Sequence, residues 1–400
     1  MVTMRQPPSD ISQRIPRGVW VLGFVSLLMD TSSEMIHALL PLLLVGPLGV
    51  SVLTLGLIEG LAEGIAQLVK LFSGTLSDYF RKRKELTVCG YGLAALSKML
   101  FALAPSTGIV VAARLLDRVG KGIRGAPRDA LLTDITPPEI RGAAFGLRQT
   151  LDTVGAFLGP LIAVFLLVFW TQDIQDIFWV AVIPAVGAVA LLFFGLKEPE
   201  RKTETKRSNP ISFASLRQLN REYWWVVLVG MAFTLARFSE AFLVILAKDH
   251  GVGLAAIPLV MVAMSAIYAA TAYPFGALSD RFSHRLLLAL GLIVLIAADI
   301  VLALSSSMAL LFVGIVLWGI HMGMTEGLLS VMIAKTAPSE LRGSAFGFFG
   351  LMRGMMTILA SVLAGALWHY SGSQATFLTG AAFASVSLLI LTMNQKNRCR

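Results

Sequence analysis

The feature that most restricts this chain is a repetition. Apolar stretches close to 20 residues long recur from one end to the other of its 400 residues. A helix rises about 1.5 Å per residue, so about 20 apolar residues match the roughly 30 Å hydrocarbon core of a bilayer. In that core each backbone N–H and C=O must be satisfied within the segment, which points to helices as the spanning element. Twelve spans are read, at roughly 17–45, 52–77, 86–104, 107–133, 142–169, 176–195, 222–247, 254–279, 286–304, 308–334, 343–368 and 374–393. Only 14% of the residues are charged, against about 25% in a soluble domain. The predicted fold class is all-α integral membrane, with twelve transmembrane helices.

The distribution of Lys and Arg orients the spans. Outside the spans the basic residues fall, Lys248 excepted, on one side. The positive-inside rule makes that side cytoplasmic, with both termini there. The net charge of +9 is thereby read as topological rather than as a sign of nucleic-acid binding. Arg5, Arg14 and Arg17 precede the first apolar run without an A-x-A-like cleavage site, so that run is read as an uncleaved span. Cys89 and Cys399 suggest neither a disulfide framework nor a metal site.

An internal repeat divides the chain. GTLSDYFRKR at 74–83 returns as GALSDRFSHR at 276–285, and PPEIRGAAFG at 137–146 returns as PSELRGSAFG at 338–347. Two separate motifs share an offset of about 200 residues, which is the mark of a parallel duplication. The expected domains are a six-helix bundle over 1–195, a polar, basic linker over 196–221 and a second six-helix bundle over 222–400.

These residues resemble the major facilitator superfamily along essentially the whole chain. Gly74, Leu76, Asp78, Lys82 and Arg83 match its loop 2–3 signature, G-x-L-a-D-r-x-G-r-k, while Tyr79 and Arg81 depart from it. The second copy keeps Gly276, Leu278, Asp280 and Arg281. The resemblance implies a gating role for Asp78, Arg81, Arg83, Asp280 and, at the inner mouth, Arg128. Gly155, Gly159 and Pro160 in span 5 resemble the G-x-x-x-G-P element of proton-linked antiporters. Arg118, Lys121 and Gly122 loosely resemble a third element, R-x-x-q-G-x-g, with Lys121 in place of an amide.

Span 4 is the exception among the apolar runs. Arg114, Asp117, Arg118, Lys121, Arg124, Arg128 and Asp129 all fall on one side of a helix at about 100° per residue. Inside a membrane such a stripe must face protein or a wet cavity. The resemblance implies that spans 1, 4, 7 and 10 line a central cavity. Counted along each helix, Asp30, Arg118, Arg237 and His321 lie at one depth, roughly 20–23 Å from the inner ends. Asp30 and Glu34 are expected to neutralise part of the span 4 stripe and to carry the coupling proton. Arg114, Arg118, Lys121, Arg237 and His321 are the expected substrate-binding residues. Glu59 and Glu63 fit either role, Arg237 and Glu240 are expected to satisfy each other, and Lys98 is expected to snorkel outward.

The leading reading is a secondary active transporter working by alternating access, driven by protons and exporting a small organic molecule. It is not an enzyme, uses no cofactor or metal, acts as a monomer and resides in the cell inner (plasma) membrane. The runner-up is proton-coupled uptake of an anionic metabolite, with Arg118, Lys121 and Arg237 clamping a carboxylate or phosphate. A receptor built on the same fold is a third reading. GKGIRG lacks the G-K-[ST] ending of a phosphate-binding loop.

Overall fold

A computed structural model of the protein describes residues 15–80, 82–196, 218–278, 281–325, 327–338 and 341–396, with the side chains of 75–80, 139, 277, 342–343 and 394–396 outside the description. The described residues are almost entirely helical. The first bundle holds α1 (Arg17–His37), α2 (Leu40–Val45), α3 (Val52–Phe80), α4 (Arg83–Leu103), α5 (Thr107–Asp134), α6 (Arg141–Phe169) and α7 (Ile174–Gly195). The second holds α8 (Arg221–Ala236), α9 (Ala241–Asp249), α10 (Leu259–Leu278), α11 (His284–Ala303), α12 (Met308–Thr325), α13 (Leu328–Thr336) and α14 (Arg342–Lys396).

These helices make twelve spans. Among the described residues, ten segments are long and apolar enough to cross a membrane. The last of them, Ser344–Met393, contains two spans, because the backbone leaves the helical region at Gly372 (φ 86°, ψ 173°). The twelfth span is α5, whose 28 residues suffice to cross but whose charges keep it out of any hydropathy count.

Three spans are broken, which the apolar pattern did not reveal. Span 1 is interrupted between His37 and Leu40, and Pro41 sits in the first turn of the restarted helix, where its missing N–H costs nothing. Span 7 leaves the helix between Ala236 and Ala241. Span 10 restarts at Gly327, whose φ of 74° is open to glycine at little cost. Non-helical backbone at membrane depth is tolerated where protein or a wet cavity surrounds it.

Within the first bundle α1 packs on α6 and α7, and α5 on α3 and α4; in the second, α14 packs on α8 and α11, and α12 on α10 and α11. The bundles meet along α3–α14, α6–α10 and α2–α9. The α3–α14 seam is made of small residues. A Cβ on Gly56 would lie 2.4 Å from the carbonyl oxygen of Ser361 and 3.0 Å from the Cα of Gly365; one on Gly64 would lie 2.3 Å from Ile358. The spacing Gly56, Gly60, Gly64 lets the helices touch backbone to backbone. We call the face where α1 begins and α3 ends proximal, and the opposite face distal. On the distal side, buried side chains from α2 (Leu40, Leu43, Leu44) and α9 (Phe242, Leu243, Ile245) complete an apolar seal.

Candidate functional site

Beneath the distal seal lies a cavity of about 300 Å³ between the bundles. The first bundle contributes Glu34 and His37 from α1, Glu59 and Glu63 from α3, and Arg114, Arg118 and Lys121 from α5. The second contributes the break in span 7, Arg237 to Glu240, and Arg353, Thr357 and Ser361 of α14. A second cavity of about 320 Å³ lies nearer the proximal face and reaches Asp30, Arg124, Arg128 and Asp152. Glu34, Glu63, Gln67 and Lys121 belong to both, so these four form the partition.

The charged side of α5 is held by a network that crosses four spans. Arg114 donates to Glu59 Oε2 at 2.5 Å, and Arg118 pairs with Glu63 at 2.7 Å. Asp117 accepts from Lys98 of α4 at 2.7 Å, a pair sealed from solvent on both sides. His37 stands between Arg114 and Arg118, both of which reach its Nε2, while its Nδ1 lies 3.2 Å from Glu34 Oε1. Glu59 Oε2 also accepts from the Ser239 hydroxyl at 3.3 Å, which carries the network into the second bundle. Buried charge in a membrane interior is tolerated only when paired or wet.

Close backbone packing makes room for these pairs. A Cβ on Gly120 would lie 2.7 Å from the Gly90 carbonyl oxygen, and one on Gly122 would lie 2.6 Å from Val69. The glycines of GKGIRG thus bring α5 against α4 and α3. Gly155 and Gly159 do the same between α6 and α1. Their Cβ positions fall 2.5 Å from the Leu27 carbonyl oxygen and 2.6 Å from that of Thr31, with Asp30 and Glu34 Cβ atoms at 3.2 and 2.8 Å. The span 5 motif therefore sits on the turn of α1 that bears both acids.

Several expectations change. Asp30 does not neutralise the α5 stripe, since it has no ion pair within 4.0 Å among the described residues; α3 and α4 supply the partners instead. Lys98 does not snorkel, because its ammonium is fully buried against Asp117. Arg237 and Glu240 do not pair; the guanidinium lies 5.7 Å from the Phe233 ring centroid, and the helix break between the two residues removes their i,i+3 register. His321 does not join the cavity wall. It is fully buried, with Nδ1 donating to the Trp318 carbonyl at 2.6 Å; the Trp318 ring stands edge-on to it, and Phe238, which lines the cavity, packs on Trp318.

Arg114 and Arg118 do line the cavity, but with their charge already engaged. Lys121 and Arg237 line it without an ion-pair partner within 4.0 Å among the described residues. Arg128 turns to Asp129 at 3.2 Å and to the Ser26 hydroxyl at 3.3 Å. Arg83 binds Asp134 at 2.5 Å and the Ala130 carbonyl at 3.3 Å, tying the start of α4 to the end of α5. Arg81, Asp280 and the Asp78 side chain lie outside the described residues.

The family model described as Major Facilitator Superfamily matches residues 22–242 and 227–398. The chain belongs to the major facilitator superfamily. It is 31% identical over 394 residues to an uncharacterized MFS-type transporter of Methanocaldococcus jannaschii (MJ1317), covering 96% of this chain and 97% of that one. It is 28% identical over 377 residues to the multidrug resistance protein MdtH of Photorhabdus laumondii, covering 94% and 90% respectively. The crystal structure of a bacterial homolog of the human lysosomal transporter Spinster, inward-facing and unoccupied, superposes with a TM-score of 0.77 at 16% identity, over 94% of this chain and 96% of that one. Such a likeness speaks to the fold. As a superfamily member the protein is an integral membrane transporter of small molecules.

Two parts of the site were passed over in the sequence. His37 lies seven positions after Asp30, and its signal in the sequence is Pro41, which marks a helix restart just beyond it. Glu59 and Glu63 were noticed without a partner. Their signal was the doublet Glu59-Gly60 and Glu63-Gly64: the glycines turn one side of α3 to α14, and the acids, about 100° away, face α5.

Proposed function

We propose that this transporter is proton-coupled and exports a small organic molecule by antiport, working by alternating access. In this reading 1–195 and 222–400 are the two moving bundles, 196–221 links them, and the proximal face is the cytoplasmic side of the inner (plasma) membrane. Asp30 and Glu34 carry the coupling proton. Lys121 and Arg237 meet the substrate, while Arg114 and Arg118 do so only when released from their carboxylates. Arg83 and Arg128, with Asp78, Arg81 and Asp280, form the proximal gate.

The observation that carries this reading is the placement of α1. Both acids lie against glycines of the antiporter-like motif; Glu34 stands where the two cavities meet, and Asp30 lines the proximal one. A carboxylate whose pairing changes between conformations is suited to pick up and release a proton. The likeness to MdtH supports export. A cavity of about 300 Å³ is small for a drug-sized ligand, which favours a compact substrate.

One observation favours the second reading, symport of an anionic metabolite. Lys121 and Arg237 face one cavity from opposite bundles, each without an ion-pair partner within 4.0 Å among the described residues, and a carboxylate or phosphate would suit both. The test is a proteoliposome assay with an imposed pH gradient and panels of anionic, neutral and cationic solutes. Antiport predicts accumulation against the solute gradient when protons leave in exchange. Accumulation in the same direction as proton flow would establish symport, and no response to the gradient would remove proton coupling.

A further inference from the structure

His37 is the ring at the centre of the α1–α3–α5 network. It closes α1 at the span 1 break and lines the central cavity. Arg114 and Arg118 both reach Nε2, the latter at 2.5 Å. A guanidinium only donates, so Nε2 presents a bare lone pair. Nδ1 lies 3.2 Å from Glu34 Oε1, which as an ionised carboxylate only accepts, and 3.2 Å from Arg118 Nη2, whose shorter contact is to Nε2; the ring proton is therefore assigned to Nδ1. The ring is therefore neutral and held in a single tautomer.

A second proton has only Nε2 to occupy. There it replaces an acceptor for two cations with a donor that repels them. Another partner stands ready: Asp117 Oδ2 lies 3.8 Å from Nε2. The doubly protonated ring keeps Glu34 and gains Asp117, and the two guanidiniums must leave it. The charges around the ring support the same exchange. On its own helix it faces Glu34; from α3, Glu59 and Glu63; from α5, Arg114, Asp117, Arg118 and Lys121; and across the cavity lie Arg237 and Glu240. With Lys98 counted, the first bundle sets four cations against four carboxylates when His37 is neutral. A proton on His37 tips that balance to positive.

We propose that His37 is the terminal acceptor of the coupling proton, reached along one face of α1 from Asp30 through Glu34, and that its protonation frees Arg114 and Arg118 from their clasp on the ring. This deepens the proton-coupled reading and rests on it. Proton arrival thus changes the cation content of the cavity wall, and with it the affinity for a bound solute.

The test compares the wild type with His37→Gln in lipid nanodiscs. Gln keeps an oxygen acceptor for the guanidiniums but cannot take a proton; His37→Asn serves if that variant fails to insert. Magic-angle-spinning NMR of the ¹⁵N-histidine protein resolves the ring by difference, since the chain has 5 histidines. The expected result is a signal absent from the variant, with Nδ1 protonated and Nε2 bare at alkaline pH, which gains a second proton on acidification. Spin labels at the start of α3 and at the Gly372 kink of α14, with both cysteines replaced, should report a pH-dependent shift in distance in the wild type and none in His37→Gln. A proton on Nε2 at alkaline pH, or an equal pH shift in both proteins, would overturn the proposal. Gradient-driven transport that is equal in wild type and variant would remove the role of His37 and leave the transporter reading intact. A pH-responsive ring in a protein that ignores the gradient would remove both.

Discussion

The two bundles have opposite interiors. In the first, Lys98, Asp117, Arg114, Glu59, Arg118 and Glu63 form ion pairs at 2.5–2.7 Å across three helices, with His37 as their hub. In the second, the corresponding space is aromatic. Phe238 meets Phe242, Trp318 and Phe377 at ring-centroid distances of 5.4–5.5 Å, and Trp368 joins them. Its buried ionisable groups stand alone: neither carboxylate oxygen of Asp299 and not the Nε2 of His321 has a hydrogen-bond partner. A bundle whose polar groups are mutually satisfied can rearrange them when a proton or solute arrives. A bundle packed with rings is a rigid wall against which that rearrangement is read. The difference assigns coupling to the first bundle and shape to the second.

The largest expected effect comes from breaking a pair in the first bundle. Lys98→Met leaves Asp117 buried without its ammonium and should destabilise the protein by about 3–5 kcal/mol. Thermal unfolding in detergent measures this, and Lys98→Met combined with Asp117→Leu should recover much of the loss. Full stability of the single variant would show that the network does not hold the bundle. Next come the glycines that seat α6 on α1. Gly155→Ala forces a methyl against the Leu27 carbonyl and should cost about 1–3 kcal/mol. By contrast, Gly350→Ala, where a Cβ meets nothing within 4 Å, should stay within about 0.5 kcal/mol of wild type. Equal melting temperatures for the two would deny α1 its close support.

The smallest effect is expected in the second bundle. Asp299 has no partner to lose, so Asp299→Asn should alter stability by less than about 1 kcal/mol. A loss comparable to that of Lys98→Met would reveal a hidden polar role there and erase the contrast between the bundles.

Much of the fold was legible because a bilayer filters sequence severely. Twelve runs of suitable length were enough for an all-α membrane fold. The breaks at His37, Arg237 and Gly327 were not, since a hydropathy window averages over two or three polar residues. The stripe on α5 was visible, but its partners were misassigned. Depth along a helix places residues on one level; it does not say which way each helix is turned. Asp30 and Arg118 share a level and never pair, whereas Glu63 shares it too and faces Arg118 because the Gly56–Gly60–Gly64 seam fixes the rotation of α3. Lys98 was misjudged for the same reason, its partner being one turn of another helix away. His321 had the right depth but the wrong side of the Phe238–Trp318 wall.

The assignment of coupling to the first bundle is tested most directly by one comparison in proteoliposomes. Glu34→Gln and Asp299→Asn each remove one carboxyl group, one from each bundle. Under an imposed pH gradient, Glu34→Gln should lose accumulation against the solute gradient while downhill exchange of the same solute continues. Asp299→Asn should accumulate as the wild type does. Retained uphill transport in Glu34→Gln, together with its loss in Asp299→Asn, would contradict the account.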